Sequence, residues 1–297
     1  GMETSMDKDS LYLSMESYTN KVLLLFNMDK SRPASTPMTE QITDFTPLSY
    51  SKRKLFMKGC GCVTWLVNTL RADIALAHSR ITQHMANPNQ GAWDALMHLL
   101  RYLKGTTRPC FSVPLHEDAP ASKFTCDGRE FFTDTDLASN TEPQNKRRSQ
   151  NGSIATSANV PVFWSSKASS VCFAHPKIGE AHADTSSGAA EVYGAGNATY
   201  DFLHLSYLAE ELGLTFTTPF VLQMDNTTAE AFSNNTAFKS KLKHIDCRQE
   251  WVKMLRNKDI IVPAHVNTNE NLADLFTKIL DKNTFLKHRN RIMKFLP

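Results

Sequence analysis

The chain has 297 residues, enough for one large domain or two ordinary ones. Its hydrophobic share of 41% and charged share of 21% are those of a globular protein and exclude a disordered or fibrous class. A net charge of +3 permits nucleic-acid binding without arguing for it, so the placement of charge must decide.

Leu11–Ser14 suits a short strand leading into an amphipathic helix over 15–28, with Val22, Leu23, Leu25 and Phe26 as its apolar face. Two prolines and several Ser and Thr make 31–43 a linker. A helical region over 52–84 carries Phe56, Val63, Leu66, Leu70 and Ile74 and breaks near Arg71-Ala72-Asp73. Beyond Asn87-Pro88-Asn89, the residues Trp93, Leu96, Met97, Leu100 and Leu103 have helical spacing. Gly105 supplies a stop, and Trp93 and Met97 are expected in the core.

From Lys123 the texture changes to strands, over 124–133, over 153–160 and again from Val162, with a basic turn over 145–151. A helix over 189–212 stops at Gly213. Phe220–Met224 is a continuous apolar run, expected to be buried on both faces, and Asn226 behind it can cap the next helix. A helix over 243–258, a strand at Ile260–Val262 and a largely helical 269–295 complete the order. Three consecutive strands followed by alternating helices and strands predict an α/β fold, a mixed sheet with helices packed on it.

The six cysteines are scattered, and the one close pair, Cys60 and Cys62, lacks the two-residue spacer of a zinc site. They read as reduced thiols of an intracellular protein. No apolar run reaches 18 residues and no signal peptide is evident, so neither a membrane span nor secretion is expected.

Carboxylates fall at element ends in this layout. Asp134 and Asp136 close the first strand of the second half, on one side of it because strand side chains alternate. Glu191 lies near the start of the long helix, Asp225 ends the apolar strand, and Asp274 opens the last helical region. Taken singly, each has a plain alternative as a solvated turn, a helix cap or a surface residue. Together they repel one another, and two divalent cations about 4 Å apart would offset that repulsion and clamp a scissile phosphate. Oxygen ligands without His or Cys favour Mg²⁺ or Mn²⁺.

The order Asp, Glu, Asp, Asp over these elements resembles the ribonuclease H fold. The surrounding segments resemble the C-terminal end of copia-type (Pseudoviridae-like) retrotransposon polyproteins: Phe132–Asp136, Lys146–Ser149, Phe163–Lys167, Ser186–Tyr193, Met224–Asn226, Lys243–Arg248 and Leu272–Lys278. Leu11–Ser14, Arg32–Met38, Leu70–Ala75 and Leu99–Gly105 are similar to the thumb and connection segments that precede ribonuclease H in that family.

The resemblance implies a five-stranded ribonuclease H-like domain over 123–297, a helical connection region over 46–122, and the end of a palm and thumb segment with its linker over 1–45. It implies Asp134, Glu191, Asp225 and Asp274 as ligands of two Mg²⁺ or Mn²⁺ ions, with Asp136 secondary, and His265 fits either the mobile His of many ribonucleases H or a strand-end position in the copia branch. Two departures stand out. Leu137 occupies a position where the family usually has Trp, and 173–185 is inserted, carrying His175 and His182.

The implied activity is metal-dependent hydrolysis of the RNA strand in RNA–DNA hybrids. No Tyr-x-Asp-Asp palm motif occurs, so no polymerase activity is expected of this segment alone. Its expected partners are the hybrid, the rest of the reverse transcriptase polyprotein and a second copy of itself, with no membrane. Its expected setting is a cytoplasmic particle or the nucleus. Phosphate contacts are expected from Lys146, Arg147, Arg148, Lys167, Lys239, Lys241 and Lys243, and polar contacts near the site from Ser166, Ser187 and Asn226. Two rivals remain, a non-catalytic binding or structural module and a duplex-DNA nuclease of the integrase or resolvase kind. The same fold accommodates all three.

Overall fold

The computed structural model describes residues 1–115, 129–140, 148–157, 159–169, 173–174, 181–182, 187–213, 219–225 and 243–296. They form two compact units, Gly1–Leu115 with Lys278–Pro297, and His116–Thr277. The units divide the chain after Leu115 and again after Thr277.

The first unit contains β1 (Glu3–Met6), β2 (Ser10–Ser14), α1 (Glu16–Leu25), α2 (Tyr50–Thr69), α3 (Ala75–Thr82), α4 (Gln90–Gly105) and β3 (Pro109–Pro114). The chain's end adds α7 (Lys282–Ile292) and β11 (Lys294–Phe295) to it. The strands form an antiparallel sheet in the order β1-β2-β3-β11. Asn89 caps α4 by accepting from the Ala92 amide at 2.9 Å, and Leu96, Leu99, Leu100 and Leu103 bury one face of that helix. Trp93 and Met97 sit at the edge of this core, half-buried, and the Lys52 ammonium lies 5.0 Å over the Trp93 ring.

The break expected near residue 71 is a 3₁₀ turn at Ala72–Ile74 between α2 and α3. It is built around a buried ion pair. The Arg71 guanidinium donates to both oxygens of Asp73 at 2.8 Å, to the Thr106 carbonyl at 2.9 Å and to the Thr106 hydroxyl at 2.8 Å, while Tyr102 Oη donates to Asp73 at 2.6 Å. Burial alone would raise the Asp73 carboxyl, but Arg71 and these hydrogen bonds hold it below the usual carboxylate range.

The second unit contains β4 (Arg129–Asp136), β5 (Gln150–Ser157), β6 (Val160–Ala168), the short hairpin β7 (Phe173–Ala174) and β8 (Ala181–His182), α5 (Ser187–Glu211), β9 (Phe220–Met224), α6 (Lys243–Asn257) and β10 (Ile261–His265). The hairpin falls within the segment read as inserted. The main sheet runs β10-β9-β4-β5-β6, with β4, β9 and β10 parallel and β5 and β6 antiparallel to their neighbours. This is the mixed sheet that the element order predicted, with the five strands that the resemblance implied.

One face of the sheet packs under α5 and α6 through Phe131, Val192, Ala195, Ala198, Phe202, Leu222, Met224, Val252 and Leu255. β9 is therefore buried on one side only. Phe220, Leu222 and Met224 point inward, whereas Val221 and its neighbour in register Val262 remain 45% and 42% exposed. The stretch 269–295, read as largely helical, consists of two 3₁₀ turns, Thr268–Glu270 and Leu272–Phe276, followed by α7.

Candidate active site

The parallel strands β4, β9 and β10 finish at one edge of the sheet, where functional groups of open α/β sheets collect. Asp134 lies near the end of β4, Asp225 directly follows β9, and His265 ends β10 in register with Met224. The turn Leu272–Phe276 brings Asp274 to the same place. Asp134, Asp225 and Asp274 each offer an oxygen within 4.8 Å of the others. Asp134 and Asp274 are buried, at 2% and 4% exposure, and Asp225 is half-buried.

The turn that carries Asp274 is pinned to the sheet. Asn271 accepts from the Ala273 amide at 3.1 Å and donates to the Thr133 carbonyl at 3.4 Å. Ser166 Oγ donates to the Phe276 carbonyl at 2.6 Å and accepts from Gln150 at 2.9 Å. The Thr277 hydroxyl donates to Asp134 Oδ2. Gly152, opposite Asp134 on β5, makes the close fit of turn to strand feasible. A Cβ there would lie 2.7 Å from Thr277, 2.8 Å from Phe276 and 2.9 Å from the Ala273 carbonyl oxygen. Ser166, expected to read substrate, is thus engaged in holding the Asp274 turn.

Glu191 rides on α5, which covers the other face of β4, and it is buried at 6% exposure. Gly194, one turn on, admits the helix to the strand, because a Cβ there would collide with Thr135 Oγ1. The Glu191 carboxylate is not among the three gathered within 4.8 Å. Asp136, two residues past Asp134 on β4, is half-buried at the same edge, and His265 is exposed.

Of the cations expected to bind phosphate, Lys167 is exposed on β6 and Arg148 is half-buried, its carbonyl accepting from Asn140 at 3.2 and 2.8 Å. Lys243 begins α6. Lys146, Arg147, Asn226, Lys239, Lys241 and His175 lie outside the described residues, as do the side chains of Lys243, Ser187 and His182.

The gathered donor set is carboxylate oxygen throughout, two of its members nearly excluded from water. Such a set suits a hard divalent cation of the Mg²⁺ or Mn²⁺ class and does not suit zinc. Thr277, Asn271, Gly152 and Gly194 were not singled out from sequence. The signal for Thr277 was present, since it lies in the same Leu272–Lys278 segment as Asp274.

The chain is 28% identical to the retrovirus-related Pol polyprotein of the tobacco transposon TNT 1-94 over 295 residues, covering 96% of this chain. It is 28% and 27% identical to those of the Arabidopsis thaliana transposons RE2 and RE1, each covering 98% of this chain. It spans about one fifth of the length of these relatives, 20%, 19% and 18% in turn. No family model matches. Among solved structures, a ribonuclease H1 isolated from compost aligns with 50% of this chain at 18% identity and a TM-score of 0.35. The N-terminal ribonuclease H domain of a Mycobacterium tuberculosis protein aligns with 54% at 16% identity and a TM-score of 0.32.

Proposed function

We propose that this chain, a homologue of the Pol polyproteins of copia-type retrotransposons, hydrolyses the RNA strand of RNA–DNA hybrids at Asp134, Asp225 and Asp274. The observation that carries this reading is the convergence of three carboxylates within 4.8 Å at the shared end of three parallel strands. Asp134, Asp225 and Asp274 would hold divalent cations, with Glu191 as the fourth ligand from α5. When bound, such cations supply an activated water and neutralise charge building on the phosphate.

The remaining work falls to the chain itself. Thr277 donates to Oδ2 of Asp134, which orients that carboxylate. Asp225, less buried than the other two, would be the ligand nearest to an incoming substrate. His265, exposed and in register with Met224 just before Asp225, would contact a departing phosphate. Lys167 and Arg148 would meet the phosphates, so affinity should fall with salt. The rest of the polyprotein would supply polymerase chemistry.

The test is cleavage of a labelled RNA–DNA hybrid with Mg²⁺ or Mn²⁺, beside duplex DNA and duplex RNA, for wild type, Asp134→Asn and Asp225→Asn. Hybrid-only cleavage lost in both variants supports the reading. Binding of hybrid without cleavage in either metal would favour a non-catalytic module, and cleavage of duplex DNA would favour the integrase-like rival.

A further inference from the structure

Cross-strand register sets Thr135, Asn151 and Lys167 in one row over β4, β5 and β6, and Thr133, Ser153 and Ser165 in the next row on the same face. This is the face under α5, which closes on the Thr135 end through Gly194. Toward the edge strand β6 the two layers part, leaving a groove of about 390 Å³ whose lining includes Asn151, Ser165, Lys167, Asn197, Tyr200 and Asp201.

A helix laid on a sheet normally meets it with apolar side chains. Here Asn151, Ser165, Lys167, Asn197 and Asp201 stand in the lining beside Ala168, Tyr193 and Ala198. At the mouth, Tyr200 stacks on Trp251 with ring centroids 4.7 Å apart and planes 6° from parallel, and Trp251 Nε1 donates to the Thr199 hydroxyl at 3.2 Å. Trp251 covers one face of the Tyr200 ring, yet Tyr200 stays 53% exposed.

We propose that this groove is a subsite for an unpaired nucleotide: the base stacks on Tyr200, Asn197 and Asp201 meet its hydrogen-bonding edge, and Lys167 meets its phosphate. Each element has its chemical reason. Aromatic faces hold bases of any sequence, amide and carboxylate groups pair with base edges, and a lysine serves phosphate as a point charge. Burial raises the Asp201 carboxyl, against Lys167 and His204, and so weakens its repulsion of a phosphate. The inference rests on the hybrid-cleaving reading and deepens it. The polar row begins on β4, the strand that carries Asp134 on its opposite face.

The experiment is fluorescence anisotropy with the full chain in EDTA, so that nothing is cut. The probes are an eight-nucleotide single-stranded DNA, the matching RNA and a blunt hybrid, with wild type, Tyr200→Ala, Tyr200→Phe and Lys167→Ala. Tyr200→Ala should weaken single-strand binding about 5- to 100-fold while blunt-hybrid binding stays within about twofold. Tyr200→Phe should bind as wild type. Lys167→Ala should lower the salt slope by about one. Equal binding of single strands by wild type and Tyr200→Ala would overturn the proposal. So would equal loss for all probes, or a changed oligomeric state in place of a binding defect. Single-strand binding that depends on Tyr200 in a chain that cuts no hybrid would retain the subsite and reject the cleavage reading alone.

Discussion

Adding one methyl group at Gly152 should separate folding from chemistry. An alanine Cβ there would lie 2.7 Å from Thr277 Cγ2, 2.8 Å from Phe276 Cβ and 2.9 Å from the Ala273 carbonyl oxygen. Ordinary contacts between such atoms are about 3.5–4.0 Å. The Phe276 Cβ and the Ala273 carbonyl belong to the frame of the turn, so no side-chain rotation relieves them. The whole turn must retreat by roughly 1 Å, and it takes Asp274 and Thr277 away from Asp134. Overpacking of this kind costs about 1–3 kcal/mol. A domain stable by about 5–15 kcal/mol would survive that and remain folded. The carboxylate geometry would not, because a displacement of about 1 Å typically costs about 100-fold in rate. The assay pairs urea unfolding with hybrid cleavage by wild type and Gly152→Ala at equal concentration. Wild-type cleavage together with an unchanged unfolding midpoint would refute the argument that Gly152 sets the seat of Asp274.

Thr277→Val removes the donor to Asp134 while keeping the volume, and should raise the Mn²⁺ concentration needed for half-maximal cleavage about 10- to 100-fold. In the first unit, Asp73→Asn leaves the Arg71 guanidinium buried without its counter-charge and should destabilise by about 3–5 kcal/mol, read as a lower urea midpoint. The double variant Arg71→Met, Asp73→Leu should recover part of that loss. Burial pushes the His78 imidazole down to about 4 from an ordinary 6.5. The unfolded chain then binds the extra proton between those values, so stability should fall as pH drops from 6.5 toward 4, by about 3 kcal/mol at most. Urea unfolding at pH 7 and pH 4.5 checks this, and His78→Gln should flatten the dependence.

Much of this fold was legible because local pattern and tertiary role agreed. The α2–α3 break, the α4 stop and the bounds of β9 follow from spacing, Gly105 and flanking polar residues. The strand β3 was not legible. Proline stands at both its ends, which argues against a strand, yet β2 and β11 pair with it. The one-sided burial of β9 was hidden as well, because an all-apolar run does not say whether a layer covers each face. For 269–295 the cue existed and was outweighed: Asp281 caps α7 by accepting from Asn283 and Thr284, which dates the true helix start later than the periodicity suggested.

The site divides in the same way. The three gathered aspartates were readable because strand ends and helix starts are positions a sequence marks. Thr277, Asn271 and Gly152 act through contacts between distant segments, and one chain read alone does not record which segments meet.

The first unit takes β11 and α7 from the far end of the chain, so the polypeptide that builds the carboxylate site is an insertion within it. On a ribosome, every residue of the second unit emerges before the first unit has its full set of parts. The site-bearing unit can close during synthesis, while β3 waits with one edge unpaired until Lys294 and Phe295 arrive. A stop codon placed just after Thr277 would spare all three aspartates and leave the first unit without α7 and β11.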